Sequence, residues 1–162
     1  MDYFDDISFP YCGPVADGHK RLHVPLYHGI QYNHAGTLHL RIGDQEPKTY
    51  HGSWCFITSP ATEFEYEIPA GEQHDYVAVC ICGPRVERLV SSGLLSLEPK
   101  AVMIADAIRF REKLHELEQH HRRRRYDFCV PVLEELLLLI NDARNSGDTA
   151  RPAKFYLAET LN

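Results

Sequence analysis

Short alternating segments separated by turn residues fill the stretch from residue 22 to residue 82. In residues 37–42 the apolar Leu38, Leu40 and Ile42 alternate with polar residues, which is the period of a strand with one buried face. Turn signals recur along the stretch at Gly43-Asp44, His51-Gly52, Ser59-Pro60 and Pro69-Ala70-Gly71. Short strands at this spacing predict a closed barrel or a sandwich of about six to eight strands.

The apolar period lengthens after Gly83-Pro84, which predicts that helices follow the strands. A short helix is predicted around Val86 and Leu89, and a longer one from about residue 100 to residue 122. The apolar stripe of the longer helix consists of Met103, Ala107, Phe110, Leu114 and Leu117. Its alternating steps of four and three residues are typical of a helix that packs along one face.

A second long helix is predicted to begin near Pro131, which a first helical turn tolerates, and to end at residues 145–147. It is apolar nearly all round, and such a helix must be covered on more than one face. We therefore expect one of its sides to form a homodimer interface with a second copy of the chain. The alternative is that the preceding helix of the same chain covers it. The predicted interface residues are Leu133, Leu136, Leu137 and Ile140.

The bulk composition fits one compact domain, because 162 residues with 44% apolar content can bury a single core. The net charge of −6 is the wrong sign for a domain that grips a phosphate backbone, so direct nucleic-acid binding by this chain is not expected. The basic run from Arg122 to Arg125 falls at a predicted helix end, where solvent and the helix dipole favour cations.

The first residues carry acids where a secretory signal needs basic residues and then an apolar run. No stretch of the sequence approaches the length of a membrane span. Five cysteines, an odd number, indicate reduced thiols rather than a disulfide framework. We therefore expect a cytoplasmic protein with no membrane partner.

Motifs for catalysis are missing from the sequence. The ten histidines include no His-x-His pair, no Cys-x-x-Cys motif supports a zinc site, and no serine lies in a Gly-x-Ser-x-Gly elbow. Phosphate loops and dinucleotide fingerprints are missing as well. We expect no catalytic residue, no metal and no cofactor, and hence no enzyme. The alternative is a small metal-dependent enzyme with ligands from the set His28, His34, His39, His51 and His74.

Polar and aromatic side chains on the predicted strands indicate a small-molecule site, because such sites combine apolar walls with a few hydrogen-bonding groups. The candidates are Gln31, Tyr32, Asn33, His39, Arg41, Trp54, Tyr66 and Tyr76. We select Arg41 and Trp54 from this set, because a barrel interior holds a charge or an indole N–H at a cost unless that group has a binding partner. Ordinary core filling is the alternative for each of these residues.

The order of these parts resembles the N-terminal effector-binding and dimerisation domain of AraC-family transcription regulators. The segments that carry the resemblance are Gln31-Tyr32-Asn33-His34-Ala35-Gly36, the turn at Gly43, the strand after Gly52, Phe56-Ile57-Thr58-Ser59-Pro60 and the leucine-rich helix at 136–140. The resemblance implies a cupin-like jelly-roll barrel that binds a small effector, such as a sugar, followed by two antiparallel dimerisation helices. It also implies a C-terminal helix-turn-helix domain, absent here, as the part that binds DNA.

The resemblance implies ligand-binding roles for Gln31, Tyr66 and Tyr76. The chain departs from the family after Pro60, where a histidine is often found, and it lacks the metal-binding cupin signature. A scaffold domain without a ligand is a third alternative. The implied organisation is a barrel over residues 1–83, a helical dimerisation region over 84–150 and the start of a linker to the missing domain over 151–162.

Overall fold

The computed structural model describes residues 2–22 and 26–148, and the predicted linker at 151–162 lies outside them. Within the described residues the chain forms two antiparallel sheets and three helices, which confirms the predicted mainly β fold with C-terminal helices. The strands are β1 (Ser8–Pro14), β2 (Gly18–Leu22), β3 (His28–Ala35), β4 (Thr37–Ile42), β5 (Lys48–His51), β6 (Trp54–Thr58), β7 (Phe64–Ile68), β8 (Asp75–Cys82) and β9 (Ala101–Met103). The helices are α1 (Pro84–Ser91), α2 (Ala107–Arg122) and α3 (Tyr126–Asp148). No helix in this part of the chain is both long enough and apolar enough to cross a membrane.

Apart from β4 and β5, the strands that pair in the two sheets are not neighbours in sequence. β1, β8, β3, β6 and β9 form a five-stranded sheet in that order, and β2, β7, β4 and β5 form a four-stranded sheet. The chain crosses from one sheet to the other at most of its turns, so neither sheet forms from one continuous segment. The strands begin at Ser8, before the predicted start at Leu22. β1 contains Pro10, Gly13 and Pro14, which suggest a turn in the sequence but which an edge strand tolerates.

The predicted helix from about residue 100 is wrong at its start, because Ala101–Met103 is the edge strand β9. This strand pairs with β6, with Val102 opposite Cys55. Helix α2 begins only at Ala107, after Asp106 accepts a hydrogen bond from the backbone N–H of Arg109 at 3.2 Å. The boundary that the resemblance implies between residues 83 and 84 therefore separates β9 from the other four strands of its sheet.

Helix α3 begins at Tyr126 rather than near Pro131, so the proline lies inside the helix. Pro131 has no N–H to donate to the carbonyl four residues earlier, that of Asp127. This carbonyl belongs to the first turn of α3, and Pro131 itself is exposed, so the helix continues past it.

One face of the five-stranded sheet packs against α2 and α3, and we call the cluster between them the helix-facing core. Strand side chains such as Val77, Val79 and Ile81 meet Phe110 and Leu114 of α2 there. The four α3 residues expected at a dimer interface are buried in this same core, each at most 1% exposed: Leu133, Leu136, Leu137 and Ile140. The inference that a second copy covers these four residues is therefore wrong, because the sheet and α2 of the same chain cover them.

The opposite face of the five-stranded sheet packs against the four-stranded sheet. We call the cluster between the two sheets the intersheet core. Its buried apolar and aromatic members are Leu38, Leu40, Ile42, Phe56, Phe64, Tyr66, Ile68 and Tyr76. The alternation predicted for β4 is confirmed, since Leu38, Leu40 and Ile42 all point into this core.

Candidate functional site

A buried polar pair lies in the intersheet core. Gln31 on β3 and Tyr76 on β8 come from neighbouring strands, and the Tyr76 hydroxyl donates a hydrogen bond to Oε1 of Gln31. Both residues are buried. Burial raises the pKa of Tyr76 well above its ordinary value of 10.0, so the hydroxyl stays protonated and remains a donor.

Tyr66 adds an aromatic ring from the opposite sheet. Its ring centroid lies 5.9 Å from that of Tyr76, with an angle of 19° between the two ring planes. Phe64, two residues earlier on β7, lies 6.3 Å from Tyr66 in a similar stacked arrangement. The three residues that the resemblance marks for ligand binding therefore lie together, and their role in binding stays a prediction.

Asn33 belongs to the same site; it is one of the eight candidates from the sequence but not one of the five residues selected for ligand binding. It lies two residues after Gln31 on β3, opposite Tyr76 on β8. Its side-chain nitrogen donates to the carbonyls of Gly36 at 3.0 Å and Gly52 at 2.9 Å. No described residue donates to its Oδ1, although Asn33 is 0% exposed. A buried acceptor without a donor is unfavourable by about 1–3 kcal/mol.

Gly36 explains why Asn33 can reach two carbonyls at once. Gly36 joins β3 to β4 with φ of 90°, a conformation that favours glycine. A Cβ at this position would lie 2.7 Å from the backbone oxygen of Gln73, so a larger residue would push the turn away. The turn therefore holds the carbonyl of Gly36 close to the side-chain amide of Asn33.

Trp54 lies at the border of the site rather than inside it. It is half-buried at the start of β6, opposite Asn33 on β3. Tyr50 of β5 contacts its ring edge-on at 4.9 Å and contacts Phe56 at the same distance. Trp54 and Tyr50 both pack against the intersheet core as partly buried residues.

Arg41 faces away from the intersheet core, because Leu40 and Ile42 on either side of it point inward. Its guanidinium donates to the carbonyl of Gly43 and pairs with Glu63 at 3.2 Å and with Glu65 at 3.5 Å. The interpretation of Arg41 as a charge inside the barrel is therefore wrong. The ion pairs on the outer face of the four-stranded sheet account for this residue.

A cavity of about 160 Å³ opens between the edge strands of the two sheets, β5 and β9. Its walls include the core residues Leu40, Ile42 and Tyr50, together with Ala101 of β9. The charged residues around it are Glu46, Lys48, Glu98 and Lys100. None of the five predicted ligand-binding residues lines this cavity, but Leu40 and Ile42 connect it to the intersheet core.

The histidines considered for a metal site are dispersed. His34 contacts the Tyr32 hydroxyl at 2.9 Å, His39 contacts Thr49 at 2.8 Å, and His51 lies 3.3 Å from Thr37. Within residues 2–22 and 26–148 no group of three histidine, cysteine or acidic side chains is arranged to hold a metal ion.

Tyr32, the chain neighbour of Gln31, points to the other face of the sheet and contacts helix α2. Its hydroxyl forms a hydrogen bond with Ser53 at 2.7 Å and reaches the carbonyl of Ala107, the first residue of α2, at 3.5 Å. Its ring lies 4.6 Å from that of Phe110. Burial raises the pKa of Tyr32 to about 12, which keeps this hydroxyl protonated.

Asp75, the chain neighbour of Tyr76, makes a second connection to α2. Arg111 of α2 pairs with Asp75 at 2.7 Å and with Glu118 at 2.9 Å. Strands β3 and β8 therefore each carry at least one residue of the candidate site and, at an adjacent position, one residue that contacts α2.

These features define a two-sheet protein with a candidate small-molecule site between its sheets and helices against one outer face. Neither a scan against protein-family models nor a search of curated proteins gives a match to this chain.

Proposed function

We propose that this chain is the ligand-sensing and dimerisation domain of an AraC-type transcription regulator. The two sheets would form a cupin-like jelly-roll barrel with a small molecule between them. In this proposal the protein is cytoplasmic and not an enzyme, it pairs with a second copy, and a C-terminal helix-turn-helix domain outside this chain binds DNA.

The observation that carries the proposal is the set of polar side chains buried in the intersheet core. Burying an amide or hydroxyl is unfavourable unless it is hydrogen-bonded, and apolar residues fill the rest of this core. Gln31, Asn33 and Tyr76 occupy positions where aliphatic side chains would stabilise the fold without that demand. Conflicts of this kind between local chemistry and stability are typical of functional sites.

The chemistry of the site favours a ligand with hydroxyl groups on a ring. Oδ1 of Asn33 is an acceptor without a donor among the described residues, and an O–H or N–H group of a ligand would satisfy it. Tyr66 and Tyr76 bring aromatic rings to the same site, and aromatic rings suit the apolar side of such a ligand. A monosaccharide or cyclic polyol combines both properties.

In this proposal, the strands that hold the site also carry the effect of ligand binding to the helices. A ligand that displaces the hydrogen bond between Gln31 and Tyr76 would shift β3 and β8 at these positions. Tyr32 and Asp75 lie next to them and contact α2 through Ala107 and Arg111. Helix α2 of the proposed dimerisation region is thus in direct contact with the strands of the site.

Dimerisation in this proposal uses the outward faces of α2 and α3, since the four predicted interface residues are covered within one chain. Ile108 on α2 and Leu138 on α3 are the candidates, at 72% and 56% exposed. Light scattering at increasing protein concentration tests this part of the proposal independently of the ligand.

A thermal-shift screen of the 162-residue chain with monosaccharides, polyols and cyclic amines tests the proposed ligand site. A compound that binds the folded state at about 100 times its Kd stabilises the protein by about 2.7 kcal/mol. We expect Asn33→Leu to abolish the shift produced by any hit, because it removes the acceptor. The matched control is Arg41→Gln, which changes a residue on the outer face and should leave the shift unchanged.

Two results would contradict the proposal. One is a screen in which no compound raises the melting temperature. The other is a hit whose shift disappears with Arg41→Gln and persists with Asn33→Leu, which would place the ligand on the outer face of the four-stranded sheet.

A further inference from the structure

Four consecutive arginines occupy the last residue of α2 and the turn that leads to α3, and we call residues 122–125 the arginine turn. All four are exposed, and Arg124 adopts a left-handed backbone conformation with φ of 56°. The chain as a whole carries a net charge of −6. The arginine turn is therefore a concentrated positive site on an acidic protein.

Three of these arginines lack the carboxylate partners that most other arginines in the described part of the chain have. Arg125 lies 4.0 Å above the ring of Phe128, which also stacks on His120 at 5.4 Å. No carboxylate in the described part of the chain pairs with the guanidinium of Arg122, Arg123 or Arg124. By contrast, six arginines elsewhere in that part of the chain pair with carboxylates: Arg21, Arg41, Arg85, Arg88, Arg109 and Arg111.

We propose that the arginine turn binds the phosphate backbone of double-stranded DNA. The planar guanidinium group presents a fork of donors that matches the oxygens of a phosphate. Keeping like charges adjacent and unpaired is unfavourable for the folded protein, and a polyanion would remove that repulsion. This contact goes beyond the proposed function, because it needs neither the effector nor the absent helix-turn-helix domain.

The net negative charge of the chain does not prevent a local contact. Interactions between exposed charges are largely screened beyond about 8 Å at physiological ionic strength. At contact distance, the charges of the arginine turn therefore outweigh those on the far side of the protein. They would add sequence-independent affinity to that of a DNA-reading domain.

Charge density favours DNA over an acidic protein surface as the partner. Consecutive Cα atoms lie about 3.8 Å apart, so the four positively charged residues leave the backbone within about 11 Å of one another. Each DNA strand carries a phosphate about every 3.4 Å, and both strands together carry one about every 1.7 Å. Carboxylates on a folded protein are seldom arranged so densely, because they repel one another.

Fluorescence anisotropy of a labelled DNA duplex of arbitrary sequence, titrated with the 162-residue chain, tests the proposal. Three phosphate contacts predict that affinity falls about 40-fold between about 50 mM and 200 mM salt. The test variant is the triple substitution Arg122→Gln, Arg123→Gln and Arg124→Gln. We expect it to weaken binding at the lower salt concentration at least tenfold and to remove most of the salt dependence.

The matched control is the triple substitution Arg21→Gln, Arg88→Gln and Arg109→Gln. These three arginines are also exposed, at 63%, 67% and 55% of their side chains, and their removal changes the net charge equally. We expect this control to bind the duplex within about threefold of the unmodified chain, and thermal melts verify that both variants are folded.

Three results would overturn the proposal. The first is a control variant that loses as much affinity as the test variant, which would assign the effect to net charge. The second is an unmodified chain that does not bind the duplex at low salt. The third is competition by polyglutamate as strong as competition by unlabelled DNA, which would assign the turn to an acidic protein. None of these results changes the outcome of the ligand screen.

Discussion

The helix-facing core and the intersheet core lie on opposite faces of the same five-stranded sheet, and their chemistry differs. On β8, Val77 and Val79 face the helices, whereas Tyr76 faces the other sheet. On β3, Ile30 faces the helices, whereas Gln31 makes its hydrogen bond between the sheets. The helix-facing core is mostly aliphatic, with the hydrogen-bonded Tyr32 within it, whereas the intersheet core carries the buried pair of Gln31 and Tyr76.

This difference separates the stability of the protein from its proposed function. The aliphatic face contributes through area removed from water, at about 25 cal/mol per Å² of apolar surface. The polar face contributes less in this way and holds groups that are favourable only when they are paired. Because successive side chains of a strand point to opposite faces, one strand can contribute to stability on one face and to the proposed ligand site on the other.

The largest expected effect comes from removing a side chain in the helix-facing core. Leu136 is 0% exposed, so Leu136→Ala should lower the free energy of unfolding by about 2–5 kcal/mol, through lost burial and the cavity left behind. Leu138→Ala, at a position that is 56% exposed on the same helix, should change it by less than about 0.5 kcal/mol. Urea denaturation measures both. A Leu136→Ala variant that no longer forms dimers but keeps its stability would contradict this prediction and place Leu136 at a dimer interface.

A smaller effect is expected in the intersheet core. Tyr76→Phe removes the hydroxyl that donates to Gln31 and leaves a buried acceptor, which should lower the free energy of unfolding by about 1–3 kcal/mol. Adding Gln31→Leu removes that acceptor, so the double variant should recover part of the loss. A double-mutant cycle in urea measures the coupling energy. Additive losses would mean that the two residues do not depend on each other.

The smallest expected effect is a pH dependence in the helix-facing core. Burial raises the pKa of Cys55 from 9.0 to about 12, so the folded state retains a proton that the unfolded state loses. Stability from this residue is present below pH 9.0 and decreases as the pH rises towards 12. At about pH 10 the decrease amounts to about 1.4 kcal/mol.

Stability curves of the unmodified chain and of Cys55→Ala measure this effect. The difference in free energy of unfolding between the two proteins should shrink by that amount between neutral pH and pH 10, while the other titrating groups cancel. An unchanged difference would show that the Cys55 thiol ionises equally well in the folded protein.

Much of the β region could be predicted from the sequence because its strands alternate. The inward positions of β4 follow directly from Leu38, Leu40 and Ile42, and the same alternation already placed Arg41 on the opposite face. The error on Arg41 came from treating a charge on a strand as an interior residue. The sequence could not show which residues pair with Arg41, because Glu65 lies on β7 and Glu63 just before it, more than 20 residues further along the chain.

The remaining errors concern elements whose pattern is too short or ambiguous. A strand of three residues, Ala101–Met103, shows no period, and its Met103 fits a helical stripe by chance. The leucines of α3 predict burial correctly but do not identify what buries them. Asn33 could have been selected, since it shares the face of Gln31 two residues away, but its unpaired Oδ1 depends on the positions of two glycine turns.

The position of β9 has a consequence for synthesis on the ribosome. The five-stranded sheet is complete only when residue 103 has emerged, and its aliphatic face is covered only when α3 has followed as far as Ile140. Until then a nascent chain presents Val77, Val79 and Ile81 to solvent on an open sheet, a state prone to aggregation. We therefore expect shortened chains that end before residue 126 to require a chaperone or to be degraded, however well their strands are formed.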